Sequence, residues 1–273
     1  MNATVLKLGG ELLDDVAAVR RAAESIVRTA ARMPLVVVHG GGRAIDGELR
    51  LRGLEPQFVD GLRITDAAAL DVVVSVLAGR ANTGLVAAIG AAGGRAIGLT
   101  GADGCVGLSR RTGTIQTVSG AAVDLGLVGQ PSSREATLLV DLLTLGYVPV
   151  ICSIGVDTGG ALLNLNADTF AGHLAAAIGA QALIVAGTTA GVLDQHGNTI
   201  SELAAGDIDV MAASGAAHSG MIAKLMACRH ALTAGVGSVS IVTGRAGVDF
   251  TDAPGTRIVA LAGQATGEVE MKA

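Results

Sequence analysis

Short, almost wholly apolar runs alternate along the chain with longer segments whose apolar residues recur every three or four positions. Six of the short runs are rich in valine, isoleucine and leucine and predict strands at 4–8, 35–38, 95–99, 148–153, 182–186 and 239–242. Because polar residues are nearly absent from these runs, both faces of each strand are expected to be buried, as in a parallel sheet covered by helices.

The longer segments predict amphipathic helices between the strands. In 14–31, valine, alanine and isoleucine share one face and arginine occupies the opposite one. A second helix is expected to start at Thr65–Asp66 and to run to about residue 90, with an interruption near Gly79. Two more helices are predicted at 132–145 and 167–178.

This alternation predicts an α/β protein with a mostly parallel sheet that helices cover on both faces. The segment 107–130 is the exception, because it is polar and β-prone, and it is expected to form one or two hairpins. Residues after about 261 lack either pattern and are predicted to form a frayed tail.

Composition narrows the function class. The chain has 273 residues, of which half are apolar and only 1% aromatic, so alanine, valine, leucine and isoleucine must fill the core of one or two domains. A net charge of −5 argues against binding to nucleic acid or to an anionic membrane surface. Three widely spaced cysteines, an odd number in apolar contexts, indicate reduced thiols in a cytoplasmic protein rather than disulfides or a zinc site.

Neither a signal peptide nor a membrane span is predicted. Charged residues from Lys7 to Asp15 interrupt the amino-terminal stretch. The long apolar stretch 169–193 contains four glycines and several polar residues, and is better explained as a buried helix, a turn and a buried strand.

Glycine clusters follow two of the predicted strands. Gly9 and Gly10 end the first strand, and the three glycines 40–42 end the second. Backbone amides at such strand-to-helix turns bind anions, and only glycine lets an oxygen approach them closely. Neither cluster has the spacing of a Rossmann or Walker motif, and a turn that merely packs tightly would have the same sequence.

Lysine is rare in this chain, and two of the lysines lie beside glycine-containing turns. The chain contains sixteen arginines but only three lysines, and two of these, Lys7 and Lys224, lie beside glycine-containing turns. A lysine ammonium is a compact charge on a flexible stem, suited to a phosphoryl group that moves during a reaction. Chance placement on solvated faces is the alternative, which the apolar strand around Lys7 disfavours.

Two further groups complete the predicted chemistry. Asn164, Asn166 and Asp168 alternate, so the two asparagines are expected on one strand face, while Asp168 either extends that face or caps the next helix. Turn and cap chemistry alone would also explain them. Arg63, which follows a glycine, carries the planar guanidinium that grips carboxylates in two places.

Together these motifs resemble the amino-acid kinase superfamily and, within it, the N-acetylglutamate kinases. The resemblance runs from about residue 4 to 258 and rests on KLGG, VVVHGGG, GLRITD, LTGADG, VDLGLVG, VPVICSIG, NLNADTFAG, SGMIAK and TGR, in the order and approximate spacing of the family. It implies an open αβα sandwich, with a substrate-binding and dimerisation lobe at 1–172 and an ATP-binding lobe at 173–273.

The resemblance also implies roles for individual residues. Lys7 and Lys224 would neutralise the transferred phosphoryl group, and Asp168 would hold both lysines. The acceptor would contact Gly41, Gly42, Arg63, Asn164 and Asn166. The nucleotide and its phosphates would contact Gly9, Gly10, Gly40, Thr188, Gly191, Gly220 and Met221. Mg²⁺ would arrive with ATP, without a metal site of the protein's own.

The implied reaction is phosphorylation of the side-chain carboxylate of N-acetyl-L-glutamate, a step of arginine biosynthesis. Since a carboxylate acceptor has no proton to lose at neutral pH, no general base is needed, and His39 is interpreted as structural. Two alternatives stay open: a related acyl acceptor such as a carrier-bound aminoadipate, or a non-catalytic nucleotide-binding regulator.

Several positions depart from the family pattern. Thr83 stands where lysine is usual, Thr188 where aspartate is frequent, and Ser153 and Ala223 where proline is common; Ser219 replaces the first glycine of a pair. These departures bear on nucleotide affinity and on the exact acceptor. Only three residues precede the first predicted strand, so the amino-terminal helix of arginine-inhibited hexamers is not expected, and an arginine-insensitive homodimer is predicted.

Overall fold

The computed structural model describes residues 2–117, 119–133, 135–214 and 219–260. Its strands are β1 (Thr4–Leu8), β2 (Leu35–His39), β3 (Phe58–Val59), β4 (Leu62–Arg63), β5 (Ala96–Thr100), β6 (Ser109–Arg111), β7 (Thr114–Gln116), β8 (Ala122–Asp124), β9 (Val128–Pro131), β10 (Val148–Cys152), β11 (Ile154–Val156), β12 (Leu162–Leu165), β13 (Ala182–Gly187), β14 (Glu202–Ala204), β15 (Ser238–Thr243) and β16 (Gly255–Val259). All six predicted strands are present, with ends that differ by one residue at most.

Eight strands form the central sheet, in the order β14-β16-β15-β13-β1-β2-β10-β5. Neighbours from β15 to β5 are parallel, and only β16 runs antiparallel to β15. The predicted mostly parallel sheet is therefore confirmed. Strands β1 and β2 lie near its centre, so both glycine turns open at the same carboxyl edge, where ligands bind in such sheets.

The helices are α1 (Val16–Ala30), α2 (Gly42–Leu51), α3 (Ala67–Val74), α4 (Thr83–Ala91), α5 (Thr137–Thr144), α6 (Ala167–Ala177), α7 (Asp207–Ser214) and α8 (Ser219–Thr233). A π-helix, Ser75–Asn82, joins α3 to α4, which confirms the interruption predicted near Gly79. Side chains of Asp15 and Asp66 cap α1 and α3 by accepting hydrogen bonds from Ala18 N and Ala69 N.

One predicted boundary is wrong. The helix expected at 132–145 begins only at Thr137, because the preceding residues use local hydrogen bonds instead. Ser133 Oγ accepts from Glu135 N at 3.1 Å, and the Glu135 carboxylate accepts from Thr137 N at 2.8 Å. Such side-chain bonds give the backbone an alternative to a helical turn.

The polar insertion 107–130 forms two antiparallel pairs, as predicted. Strands β7 and β8 make an inner pair, and β6 pairs with β9 in a four-stranded sheet of order β11-β12-β9-β6. A short hairpin of β3 and β4 lies beside them. The predicted tail lies outside the described residues.

Alternation along the strands places a hydrophobic cluster on each face of the central sheet. On β1, Val5 points into a cluster with α6 and α8, whereas Leu6 and Leu8 point into a second one with α1 and α4. Lys7 shares the face of Val5 and is therefore directed toward α6. The αβα arrangement predicted from the resemblance is confirmed.

The combined helix Ala67–Ala91 is long and apolar enough to cross a membrane, judged by length and composition alone. Core helices of soluble proteins pass the same test. Here Val72, Val73 and Val76 contact residues of α2, and Ile89 is fully buried against the sheet and α1. The apolar stretch 169–193 is α6 followed by β13, as expected.

Candidate active site

The two glycine turns touch each other at the carboxyl edge of the sheet. A Cβ placed on Gly10 would lie 2.8 Å from Gly42 N and 2.9 Å from Gly41 Cα, both backbone atoms that cannot move aside cheaply. A Cβ on Gly41 would lie 2.8 Å from Leu77, a residue of the π-helix. Gly9 and Gly41 have negative φ angles, so close approach of the chains, rather than left-handed backbone, requires glycine here.

The amides at these turns differ in their hydrogen bonds. Gly9 N donates to the Ala186 carbonyl at 2.8 Å, which extends the β1–β13 ladder. That amide is occupied within the fold, so the contact with phosphate implied for Gly9 stays a prediction that its amide, as placed here, does not support. The amides of Gly10, Gly41 and Gly42 donate to no other described residue, and Gly10 and Gly42 begin helical turns, where amides attract anions.

Lys7 forms an ion pair with Asp168 across the face of β1 and α6. Its Nζ lies 2.9 Å from Asp168 Oδ1, and both side chains are largely buried, with 9% and 13% of their surfaces exposed. Oδ1 receives no well-aligned hydrogen bond, so the contact with Lys7 is an electrostatic attraction between opposite charges. Asn166 and not Asp168 caps α6, because its Oδ1 accepts from Thr169 N at 3.0 Å.

Lys224 lies one turn into α8, on the other side of the same edge. Its Nζ is 3.2 Å from the position that a Cβ on Gly187 would take, at the end of β13. No ion pair joins Lys224 to a residue of the described ranges, so Asp168 holds Lys7 and not both lysines, contrary to the expectation. The three charges still surround Cys228, whose pKa is raised by burial and by Asp168 and lowered less strongly by Lys224 and Lys7.

A cavity of about 230 Å³ extends from the Lys7–Asp168 pair to Arg63. Its lining includes Gly10 of the first turn and Gly40, Gly41 and Gly42 of the second, together with Phe58, Arg63, Ser153, Asn164, Asn166 and Asp168. The cavity therefore brings together all five residues predicted to contact the acceptor, which lie as much as 125 positions apart in the chain.

Arg63 is positioned by two contacts and keeps its Nη1 unpaired. Its Nη2 donates to Asp46 Oδ1 at 2.5 Å, and its guanidinium lies 4.5 Å from the ring centroid of Phe58. The buried Nη1 has no hydrogen-bond partner. An unpaired buried donor is costly, so an arginine held this way is prepared to receive an anionic oxygen.

The two asparagines line the cavity in different ways. Asn164, on β12, donates from Nδ2 to Thr65 Oγ1 at 3.0 Å. Its Oδ1 is left for another donor. Asn166 lies just beyond the strand and uses its own Oδ1 as the cap of α6, so only its amide nitrogen is left for a ligand.

His39 is structural, as predicted. The side chain is fully buried, and its burial lowers the pKa to about 4. Nδ1 lies 3.1 Å from the Gly40 carbonyl and Nε2 lies 3.1 Å from Asn82 Nδ2, which also donates to the Val150 carbonyl. The neutral ring therefore carries its proton on Nδ1 and connects the glycine turn to the π-helix.

Sequence reasoning missed Asp46 and Asn82. Asp46 lies one turn after Gly42 in α2, where an acidic residue facing Arg63 could have been found from helical spacing. Asn82 is one of several polar residues in the largely apolar stretch 67–91 and is the buried one, and Gly98 on β5 leaves room for it, since a Cβ there would lie 2.2 Å from Asn82 Oδ1.

The residues predicted to contact the nucleotide are more dispersed. Thr188 follows directly after β13. Gly191 packs against Thr256, because a Cβ added to Gly191 would lie 2.6 Å from Thr256 Oγ1. Gly220 is exposed at the start of α8, whereas Met221 is buried in the core. None of these four lines the cavity that joins Lys7 to Arg63.

Comparison with known proteins identifies the family of this chain. Residues 2–243 match the model of the amino acid kinase family. The chain is 40% identical over 251 residues to an acetylglutamate kinase of Novosphingobium aromaticivorans, covering 88% of this chain and 83% of the relative. An acetylglutamate kinase of Geotalea daltonii is also 40% identical, over 250 residues, with 88% and 84% covered.

Solved structures add evidence for the fold. N-acetylglutamate synthase of Neisseria gonorrhoeae, solved with coenzyme A and N-acetyl-glutamate, superposes with a TM-score of 0.82 at 22% identity. The match covers 94% of this chain and 59% of the synthase chain. With a family match over most of its length and relatives at 40% identity, this chain belongs to the amino acid kinase family.

Proposed function

We propose that this protein transfers the γ-phosphoryl group of ATP to the side-chain carboxylate of N-acetyl-L-glutamate. The observation that carries the proposal is one cavity that runs from the Lys7–Asp168 pair to the unpaired Nη1 of Arg63. A molecule with a carboxylate at each end suits such a cavity. The acetylglutamate kinases that are 40% identical to this chain support the same acceptor.

Arg63 is proposed to bind the α-carboxylate of the acceptor. Asp46 and Phe58 hold the guanidinium in the wall of the cavity and leave Nη1 unpaired, and this fixed geometry reduces the conformational entropy lost on binding. The free Oδ1 of Asn164 and the amide nitrogen of Asn166 suit the donor and acceptor of an acetamido group.

At the other end, charge neutralisation is the main requirement. A phosphoryl group and a carboxylate are both anionic, so bringing them together needs cations and oriented amides more than proton transfer. Lys7 and Lys224 approach this end from β1 and α8, and the amides of Gly10, Gly41 and Gly42 are directed to the same region. Asp168 is proposed to position Lys7.

No general base is assigned. The acceptor carboxylate is ionised at neutral pH and attacks without losing a proton. His39, which lies beside the glycine turn, has both ring nitrogens in hydrogen bonds within the fold and stays neutral. Its contribution is to hold the Gly40 carbonyl and thus the turn.

ATP is proposed to bind with Mg²⁺ on the side of β13 and α8, near Thr188, Gly191, Gly220 and Met221, with its phosphates at Gly10 and Gly40. This corresponds to a carboxyl-terminal lobe at 173–273 and an acceptor lobe at 1–172, a division that passes through α6. Mg²⁺ would supply Lewis-acid neutralisation of the phosphate oxygens, and carboxylates at this edge are the side chains suited to it.

We also expect a cytoplasmic homodimer that associates through the amino-terminal half. The outward side of Ala67–Ala91 consists largely of small residues, alanine and glycine, which allow close packing between helices. This contact and the stoichiometry are proposals that rest on the family resemblance.

The test is trapping of the acyl phosphate as a hydroxamate with ATP and a panel of acceptors. We expect N-acetyl-L-glutamate to give the highest kcat/KM among acetylglutamate, glutamate, aspartate, carbamate and an N-acylated aminoadipate. A higher value for another acceptor would transfer the proposal to that acceptor. Absence of any acyl phosphate, with ATP binding intact, would indicate a non-catalytic relative.

A further inference from the structure

A carboxylate without a role in the proposed chemistry lies at the end of β1. Glu11 belongs to the short helix Gly10–Leu12, and its side chain folds back over the turn. Its carboxyl atoms lie 2.5 to 2.6 Å from the position of a Cβ on Gly9, and its Oε1 lies 3.5 Å from the same position on Gly187. The carboxylate thus covers the ends of the neighbouring strands β1 and β13.

Lys224 approaches the same point from α8. Its Nζ is 3.2 Å from the Cβ position on Gly187 that Glu11 Oε1 also approaches. A Cβ at residue 187 would press on the Lys224 ammonium group and contact the Glu11 carboxylate. Glycine at this position leaves room for a carboxylate and an ammonium group beside the site proposed for the phosphates.

Among the described residues, Glu11 has no partner, whereas two other carboxylates near the start of the chain and of α6 do. Asp168 is held by Lys7 at 2.9 Å, and Asp14 pairs with Arg43 at 3.3 Å. Neither an ion pair nor a hydrogen bond joins Glu11 to any residue of the described ranges, although it is only partly exposed. No described residue therefore occupies the acceptor positions of its oxygens, which lie beside Gly9 and Gly187.

A free carboxylate beside phosphates is unfavourable unless a cation lies between them. Mg²⁺ usually binds to one or two carboxylates and completes its shell with phosphate oxygens and water. In the part of the chain that the structure describes, no three His, Cys, Asp or Glu side chains come together as a metal cage. A cation that arrives with the nucleotide can therefore take at most one or two ligands from the protein, and a single carboxylate beside the phosphates is suited to that role.

We propose that Glu11 binds the divalent cation that accompanies the nucleotide, either directly or through one of its waters. This inference rests on the proposed function, because it places the nucleotide phosphates between Lys224 and the glycine turns. It makes Glu11 a cation-binding residue, distinct from Asp168, whose carboxylate neutralises Lys7.

The test is calorimetric titration of ADP into the wild-type protein and into Glu11→Gln, each in excess Mg²⁺ and in EDTA. Loss of even an outer-shell partner lowers metal affinity about 10–100-fold, so the gain in ADP affinity from Mg²⁺ should shrink at least about tenfold in the variant. Without metal, ADP should bind the variant as tightly as wild type or more tightly, because one negative charge has gone.

Manganese gives a second measurement that does not depend on turnover. With ADP present, adding the wild-type protein should lower the electron paramagnetic resonance signal of free Mn²⁺. Adding the Glu11→Gln variant should lower that signal less. Glu24→Gln, an exposed change on α1, is the matched control and should behave as wild type.

Equal Mg²⁺ dependence in wild type and Glu11→Gln would overturn the proposal, as would equal weakening of ADP with and without metal. The proposed function can fail separately. In one outcome, the wild type makes no acyl phosphate and yet binds ADP more tightly with Mg²⁺, by a gain that Glu11→Gln reduces. That result would refute the proposed phosphorylation of N-acetyl-L-glutamate and support the cation site.

Discussion

Acidification is expected to destabilise the fold through one buried histidine. His39 is completely buried, with its Nδ1 proton shared with the Gly40 carbonyl and its Nε2 accepting from Asn82. A second proton on Nε2 would face the Asn82 amide group, which is also a donor. Charging the ring therefore costs both desolvation and a hydrogen bond.

The magnitude follows from the pKa. Burial lowers the pKa of His39 from its usual 6.5 to about 4. As pH falls below 6.5 the unfolded chain binds a proton that the folded chain does not bind until about pH 4. The free energy of unfolding therefore falls with pH across this window, by about 3 kcal/mol in total. Below pH 4 both states are protonated and this contribution stays constant.

Urea denaturation followed by circular dichroism, at intervals from pH 7.5 to 4, measures the effect. Carboxylates titrate in the same range, so the quantity of interest is the difference between wild type and His39→Gln. Glutamine keeps an acceptor for Asn82 but cannot be protonated. We expect the variant to be less stable at pH 7.5 by about 1–3 kcal/mol, since the Gly40 carbonyl loses its donor.

The variant should also lose about 3 kcal/mol less than wild type on acidification to pH 4. His196→Gln, at an exposed position, should leave the wild-type slope unchanged. Parallel curves for wild type and His39→Gln would refute the reasoning, because they would show that His39 binds its proton equally in both states.

Four further predictions concern the site and the assembly. Lys7→Ala and Lys224→Ala should each lower kcat at least about a hundredfold in the hydroxamate assay, and near-normal turnover of a folded variant would remove that lysine from the mechanism. Arg63→Ala should raise the KM of the acceptor more than it lowers kcat; a change confined to the KM of ATP would place Arg63 with the nucleotide. Gly10→Ala should destabilise the fold by more than about 1 kcal/mol because its Cβ meets backbone, whereas Gly47→Ala, with open space in α2, should not, as urea denaturation can check. Light scattering should give twice the chain mass of 26.9 kDa, and a monomer or a hexamer would contradict the proposed dimer.

The sequence by itself determined the elements of the fold and their order. Strand and helix periods, and caps such as Asp15 and Asp66, act within a few residues and survive any change of surroundings. The mostly parallel sheet followed from that alternation. The predicted start of α5 is too early because the side chains of Ser133 and Glu135 accept hydrogen bonds from nearby backbone amides, which hydrophobic periodicity does not reveal.

Residue type and strand position were also enough to single out Lys7, Arg63 and the glycine turns. Their motifs, taken together with the family resemblance, indicate phosphoryl transfer without reference to any distance in the structure. The role of each glycine depends on its tertiary contacts. Gly10 is needed because Gly42 lies against it, whereas the Gly9 amide is already bonded to Ala186.

Tertiary structure alone decided which charges meet. Asp168 lies 2.9 Å from Lys7 and is not paired with Lys224, and Glu11 turns back toward Gly187 without a partner among the described residues. Such contacts join positions far apart in the chain. Their energies depend on how deeply the charges are buried and on the distance between them, and neither quantity can be predicted from a local sequence pattern. The sequence names the groups that carry charge, but the packing of β1, α6 and α8 determines which of them are neutralised and which are left to bind a ligand.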